Sequence, residues 1–220
     1  MSFYYLVRQG DWLSKIAAAQ GFSNWHTLYD HPSNAAFRRL RPNPNLIYPG
    51  DRLFIPDRNE GTLSAPAGQR TRFRTHRSTE RLEVTLRDYR GEPLRNTACE
   101  LTIDGATTSA TTDATGKLER TLAPTVQDVR LTIAGITLIL GVGQLNPMND
   151  ADDGGLSGVK GRLYNLGYYN GPIHSDGDGD GELGDATAEA IRAFQRDNAL
   201  PETGEVSQPL KDKLTEKYGA

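Results

Sequence analysis

The spacing of hydrophobic residues changes twice along the 220-residue chain, and each change marks a different predicted domain. Residues 1–57 combine short apolar strands at both ends with helical spacing between them. Residues 81–143 alternate between apolar and polar positions, which is typical of half-buried strands. Residues 144–220 return to a spacing of three or four, which predicts amphipathic helices. The polar, arginine-rich residues 58–80 are predicted to be a linker.

In the N-terminal region, a short strand ends in a turn at Gly10, and Asp11 is predicted to cap the helix that follows. The helix places Leu13 and other apolar residues on one face and stops at Gly21. A second short helix is predicted from Trp25, and a loop rich in proline and asparagine leads to a returning strand. The region is therefore predicted to form a βααβ unit.

The alternating region predicts six or seven short strands arranged as an antiparallel β-sandwich. Asp104-Gly105 is typical of a two-residue hairpin turn, and the last strand is predicted to alternate through Ile136, Leu138 and Leu140. Cys99 falls on an inward position and is predicted to be a small core residue. As it is the single cysteine, it also excludes an internal disulfide framework.

In the C-terminal region, an apolar stripe ends at Gly167, and a second helix is predicted from Thr187 to Asn198. Ser207 is predicted to cap a third helix. These segments predict a three-helix bundle. Together the three regions predict a multidomain α+β protein.

Charge is distributed unevenly, although the formal net charge is only −3. Residues 1–81 contain twelve lysines and arginines against six acidic residues, whereas residues 151–220 contain seven against thirteen. Solvated surfaces account for this difference most simply. Attraction between the two ends, or docking of the basic end on an anionic polymer, remains open. The arginines of the linker are not accompanied by a nucleic-acid-binding motif, so nucleic acid is not an expected partner.

Two motifs at the ends of the N-terminal unit, residues 10–17 and 43–50, resemble those of the lysin motif (LysM) domain. The first follows Gly-Asp-x-Leu-x-x-Ile-Ala and the second Asn-Pro-x-Leu-Ile-Tyr-Pro-Gly. The resemblance implies binding of peptidoglycan or another N-acetylglucosamine polymer in a shallow groove. The implied groove residues are Gly10, Asp11, Trp12, Leu13, Asn45, Leu46 and Ile47. Trp12 departs from the family pattern, which usually has threonine or serine there.

In the middle region, residues 88–116 resemble transthyretin-like or carboxypeptidase-regulatory-like domains, with the rhythm Asp-x-x-Gly-x-Pro-Leu followed by Thr-Asp-x-x-Gly. Such domains usually serve as spacers or interaction modules. Residues 162–173, 183–187 and 190–195 resemble the three-helix peptidoglycan-binding domain that accompanies many bacterial cell-wall hydrolases. That resemblance implies contacts to glycan or stem peptide from four residues, Tyr168, Tyr169, Asn170 and Gln195.

An acidic loop interrupts the C-terminal motif where the family has a short turn. Asp176, Asp178 and Asp180, followed by Gly181, match the opening of a calcium-binding loop, because calcium prefers several flexible oxygen ligands. The twelfth position is Thr187, which cannot supply the bidentate carboxylate that usually completes such a loop. Calcium binding and a solvated acidic turn are both compatible with this pattern.

A catalytic centre is not predicted. The four histidines are scattered over three regions, and no arrangement typical of a nucleophile with its base is evident. Paired carboxylates for glycoside hydrolysis remain open. The expected function is therefore non-catalytic binding of peptidoglycan, with an accessory subunit of a wall hydrolase, or a cryptic wall-degrading enzyme, as the alternative.

The expected cellular context follows from the same features. No apolar run is long enough for a membrane span, and the first residues do not resemble a signal peptide. The combination of modules resembles proteins associated with type VI secretion and related contractile injection systems, which implies spike, baseplate or effector proteins as partners. We expect synthesis in the cytoplasm and action in the periplasm or at the cell wall, after export by such a machine or after lysis.

Overall fold

A computed structural model of the protein describes residues 1–58, 79–173 and 183–218. The chain divides into two compact units. The first comprises residues 1–45 and 49–143, and the second comprises residues 46–48 and 144–220. Helices and antiparallel sheets are both present, which confirms the predicted α+β class. The predicted linker lies almost entirely outside the described residues.

The N-terminal part of the first unit is built on a two-stranded antiparallel sheet. Strand β1 (Phe3–Leu6) pairs with β2 (Arg52–Ile55), so that Phe3 lies opposite Ile55. Between the strands lie α1 (Leu13–Ala19), α2 (His26–Tyr29), a short 3-10 turn and α3 (Ala35–Leu40). The sequence predicted α1 and α2 but did not predict α3.

Helix α3 forms because buried side chains hold the segment in place. Phe37 is buried, and Asn34, just before the helix, is buried as well. The Asn34 amide nitrogen donates to the carbonyl oxygens of Leu28 and Phe54, each at 2.8 Å, and its oxygen accepts from the Phe54 amide at 2.8 Å. One side chain thereby connects α2, α3 and β2. These are tertiary contacts, so short-range periodicity could not reveal them.

The predicted helix cap at Asp11 is wrong. Helix α1 begins at Leu13, and Trp12 occupies the cap position without a side-chain hydrogen bond. The Asp11 carboxylate instead accepts hydrogen bonds from the Tyr5 hydroxyl at 2.8 Å and the Arg8 amide at 2.9 Å. Asp11 therefore stabilises the turn before the helix and pairs with Lys15 of α1 at 3.5 Å, but it does not cap the helix.

A buried ion pair joins the residue that follows α3 to the residue that precedes β2. Arg41 and Asp51 are both buried, and the Arg41 guanidinium donates to the two Asp51 carboxylate oxygens at 2.8 and 2.9 Å. Such a bidentate pair fixes geometry as well as charge. Removing one partner would leave the other charge buried, so the pair makes the fold depend on both residues.

Among its described residues from 79 to 143, the first unit contains two antiparallel sheets. One has two strands and the other has four, in the order β5-β4-β7-β8. The strands of the smaller sheet are β3 (Glu80–Thr85) and β6 (Lys117–Leu122). Those of the larger are β4 (Ala98–Ile103), β5 (Ala106–Thr111), β7 (Asp128–Ile133) and β8 (Ile136–Gly141).

The two sheets share one hydrophobic cluster. Leu118 and Leu122 of β6 belong to it together with Leu101 of β4 and Leu131 of β7. Cys99 is part of the same cluster, so its prediction as a core residue is confirmed. Burial raises the pKa of the Cys99 thiol, which keeps it protonated at neutral pH.

Turn chemistry sets the register of the larger sheet. Asp104 and Gly105 both have positive φ, 49° and 80°, and connect β4 to β5 as the predicted two-residue hairpin. Ala134 and Gly135 repeat this geometry between β7 and β8. The last strand departs from expectation, because β8 lies at the edge of the sheet, where Ile136 and Leu138 are exposed.

In the second unit, α4 (Leu156–Asn165), α5 (Asp185–Asp197) and α6 (Gln208–Tyr218) confirm the three predicted helices. A common apolar core is contributed by all three helices, and its fully buried members include Leu163, Ile191, Phe194, Leu210 and Leu214. Gly167 has a φ of +84°, which suits the chain reversal after α4. The apolar stripes of the sequence thus correspond to the core.

Candidate glycan-binding surface of the second unit

The loop after α4 contains three of the four residues that the C-terminal resemblance implied as ligand contacts. Tyr168 is half-buried, and its ring packs edge-on against Phe194 with centroids 5.3 Å apart. Its hydroxyl donates to the Asp197 carboxylate at 3.0 Å. Burial, followed by the bond to Asp197 and the charge of that carboxylate, raises the pKa of Tyr168. The hydroxyl is therefore a neutral hydrogen-bonding group at physiological pH.

Tyr169 and Gln195 are directed into the fold. Tyr169 is buried, and its hydroxyl donates to the Pro172 carbonyl at 3.2 Å. Gln195 is only 2% exposed; its amide nitrogen donates to the Thr203 hydroxyl at 3.1 Å and its oxygen accepts from the Gly204 amide at 2.9 Å. These bonds connect α5 to the loop before α6. Both side chains therefore have structural roles in this conformation.

Other side chains near the end of α4 reach the surface. Asn170 is exposed, as the resemblance required, and Tyr164 is 47% exposed. Asn165 donates from its amide nitrogen to the Tyr218 hydroxyl at 2.8 Å on the exposed side of α4 and α6. Sequence reasoning missed Tyr164, Asn165 and Tyr218. Tyr164 and Asn165 could have been found, because they fall between Leu163 and Leu166 of the apolar stripe and must face away from it.

At the other end of α4, Asp153 holds the start of the helix. Its carboxylate accepts from the backbone amides of Gly155 at 2.9 Å and Ser157 at 2.8 Å. Burial raises the pKa of Asp153, but hydrogen bonds from Ser157, Gly155 and the Tyr48 hydroxyl outweigh it and leave the pKa below its ordinary value. The carboxylate is thus charged at neutral pH and stabilises the positive end of the helix dipole.

Most of the groove residues that the LysM resemblance implied are not exposed. Gly10, Trp12 and Leu13 are buried, and Trp12 retains only 7% of its exposure. Asp11 is half-buried and occupied by the bonds described above. On the other side of the implied groove, Asn45 is exposed and belongs to the first unit, whereas Leu46 and the buried Ile47 belong to the second.

The implied calcium ligands Asp176, Asp178 and Asp180 lie outside the described residues. Within the described residues, no group of three or more histidine, cysteine, aspartate or glutamate side chains is placed to hold a metal ion. In the same part of the chain, no helix has the length and apolarity that a membrane span requires.

The C-terminal part of the chain matches a known family. Residues 155–214 match the family model described as "Putative peptidoglycan binding domain". This range runs from the residue before α4 into α6 and includes the surface around Tyr164 and Asn170. No curated protein and no solved structure matches the chain. The predicted resemblance of the C-terminal region to a peptidoglycan-binding domain is therefore confirmed for residues 155–214.

Proposed function

We propose that this protein is a non-catalytic peptidoglycan-binding protein that attaches to the wall through its C-terminal domain. The match of residues 155–214 to the peptidoglycan-binding family is the observation that carries the proposal. The three-helix core around Phe194 supports it, because the core positions one end of α4 and the following loop at the surface. The cell wall is accordingly the proposed place of action.

The proposed contact surface consists of Tyr164, Asn165, Asn170 and the ring edge of Tyr168. Aromatic side chains stack on the apolar faces of sugar rings, and amides exchange hydrogen bonds with hydroxyl and N-acetyl groups. Tyr164 and Asn170 are exposed, so they can reach a polymer without rearrangement of the helices. Tyr169 supports the loop after α4 from within through its hydrogen bond to the Pro172 carbonyl.

The other modules lead to a more specific proposal. The LysM-like motifs and the transthyretin-like segment support a role as an accessory or structural component, or as cargo, of a type VI secretion or related contractile injection apparatus. In that arrangement, the antiparallel sheets of the first unit act as a spacer or as a docking piece for spike or baseplate proteins. Resemblance of the module combination is the support for this placement.

The wall-binding proposal can be tested by sedimentation of the full-length protein with isolated peptidoglycan sacculi. Tyr164→Ala and Asn170→Ala are each expected to weaken binding about tenfold, which corresponds to roughly 1.4 kcal/mol. Tyr89→Ala is a matched control, because Tyr89 is an 87% exposed tyrosine of the first unit. Failure of the unaltered protein to sediment with sacculi would contradict the proposal.

One observation favours the enzymatic alternative. Asp104 and Asp128 line the same open polar depression of about 590 Å³ at one end of the larger sheet, together with Arg130. Paired carboxylates are the groups that glycoside hydrolysis requires. Release of muropeptides from sacculi by the purified protein, abolished in Asp104→Asn or Asp128→Asn, would establish this function in place of simple binding.

A further inference from the structure

The start of α1 contacts the β-sheet part of the same unit at two points. The Trp12 ring lies against Gly143, just after β8, and the Ser14 hydroxyl donates to the Glu80 carboxylate at the start of β3. Trp12 and Ser14 are both buried. The turn that the LysM resemblance assigned to glycan binding is therefore engaged by another part of its own chain.

Gly143 provides the seat for the Trp12 ring. A Cβ atom at this position would overlap the Cε3 and Cζ3 atoms of Trp12, so any other residue would displace the ring. Gly143 also has a φ of +68°, a conformation that glycine adopts readily. The close approach of backbone and indole thus depends on the absence of a side chain.

The contact buries the indole at a cost. Trp12 Nε1 is buried without a hydrogen-bond partner in the part of the chain that the structure describes. Leaving a buried donor unpaired lowers the net stability of the contact. The Lys15 ammonium lies 4.9 Å from the centre of the indole, and this cation–π contact and the packing on Gly143 favour the buried state. Because these contributions to stability oppose one another, the contact between Trp12 and Gly143 can open while the hydrophobic core stays folded.

We propose that Trp12 is a latch, and that its seat on Gly143 keeps the N-terminal module closed to N-acetylglucosamine oligomers. While the latch is shut, Gly10, Trp12 and Leu13 have no exposed surface for a sugar ring. When Trp12 leaves Gly143, the turn at Gly10 and Leu13 is uncovered and becomes accessible to a sugar ring. The glycan class rests on the proposed function, but the latch concerns only the first unit.

The test compares two glycine substitutions in full-length protein carrying Trp25→Phe, which leaves Trp12 as the single tryptophan. Gly143→Ala should displace the ring, whereas Gly135→Ala has similar backbone strain, with a φ of +79°, and open space around the added carbon. Acrylamide quenching of Trp12 is expected to rise about twofold or more in Gly143→Ala only, because quenching follows exposure of the ring. Calorimetric affinity for the N-acetylglucosamine tetramer is expected to rise at least about tenfold in the same variant.

Trp12→Thr is a second variant in case Gly143→Ala fails to fold, as judged by circular dichroism. It removes the latch without backbone strain and is also expected to bind the tetramer more tightly than the unaltered protein. The latch is refuted if the unaltered protein binds the tetramer as tightly as Trp12→Thr does, or if Trp12 is exposed in Gly143→Ala without a gain in binding. Sedimentation of the unaltered protein with sacculi reports separately on the C-terminal domain, so failure of the proposed function remains distinguishable.

Discussion

The N-terminal and C-terminal modules both resemble wall-binding domains, yet their implied contact residues have different environments. In the C-terminal domain, Asn170 reaches the surface and Tyr168 is half-exposed. In the N-terminal module, Gly10, Trp12 and Leu13 are buried. The presence of a motif therefore does not determine which of its side chains are exposed, because other parts of the chain can pack against them.

The two modules also differ in what stabilises them. The C-terminal helices are held by an apolar core that centres on Phe194 and Ile191. The N-terminal module also has an apolar core, which includes Leu28, Leu53 and Ile55, but it contains in addition the buried Arg41–Asp51 ion pair. A substitution in the core of one module should therefore show whether wall binding requires that module to be folded.

The largest effect is expected from Phe194→Ala. Phe194 is buried among all three helices, and truncation of a buried phenylalanine costs about 3–5 kcal/mol because it leaves a cavity. Urea unfolding should show this loss, and sedimentation with sacculi should be abolished under conditions where the domain unfolds. Leu40→Ala, which truncates an exposed leucine, is the control and should change neither measurement. If the destabilised Phe194→Ala protein still bound the wall fully, wall binding would not depend on the helical core.

Asp51→Ala should be nearly as destabilising but should spare wall binding. It leaves the buried Arg41 guanidinium without its carboxylate, at a cost of about 3 kcal/mol. Its effect belongs to the first unit, so the protein should still sediment with sacculi at a temperature where the N-terminal module has unfolded. Asp57→Ala removes an exposed carboxylate nearby and should change stability by less than about 0.5 kcal/mol. Loss of sedimentation in Asp51→Ala alone would show that the N-terminal module contributes to wall binding.

Much of the fold was predictable because its signals are local. Leu163 and Phe194 each belong to an apolar stripe at helical spacing, and Asp104-Gly105 specifies a hairpin by its backbone preferences. The features that the sequence did not predict correctly depend on contacts outside the repeating pattern. Asp11 bonds to Tyr5 and Arg8 instead of capping the helix that follows it, and α3 depends on tertiary contacts such as those of Asn34.

The candidate site was less predictable than the fold for the same reason. Gln195 belongs to the C-terminal motif, but its amide is buried and bonds to Thr203 and Gly204. Trp12 lies against Gly143, which is more than a hundred residues away in sequence. Exposure at the end of α4, in contrast, follows from the apolar stripe, so Tyr164 could have been predicted.

Gln195→Ala and Asn170→Ala should distinguish a residue that stabilises the C-terminal domain from one that contacts peptidoglycan. Gln195→Ala leaves the buried Gly204 amide without its acceptor and should cost about 1–3 kcal/mol of stability. Asn170→Ala should change stability by less than about 0.5 kcal/mol and should weaken sacculus binding instead. Chemical denaturation together with sedimentation measures both quantities. Equal effects of the two variants on stability would show that Asn170 also has a structural role.

The smallest effect concerns the pH dependence of the second unit. Hydrogen bonds from Ser157, Gly155 and Tyr48 leave the pKa of Asp153 below its ordinary value of 3.8. The folded state therefore binds the Asp153 proton less tightly than the unfolded chain does. The resulting stabilisation is fully present above the unfolded pKa, and it is lost as the pH falls through the folded pKa.

Asp153→Asn tests this contribution at the start of α4. Asparagine can still accept the amide hydrogen bonds but carries no charge, so we expect a loss of about 0.5–1 kcal/mol at pH 7 from the weaker interaction with the helix dipole. The loss should shrink as the pH falls below 3.8, because the native carboxylate is then protonated as well. Urea unfolding of both proteins at pH 7 and pH 3 measures the difference. Asp152→Asn, at an exposed aspartate that precedes α4, is the control, and a pH-independent difference for Asp153→Asn would mean that the carboxylate stabilises the helix by geometry rather than by charge.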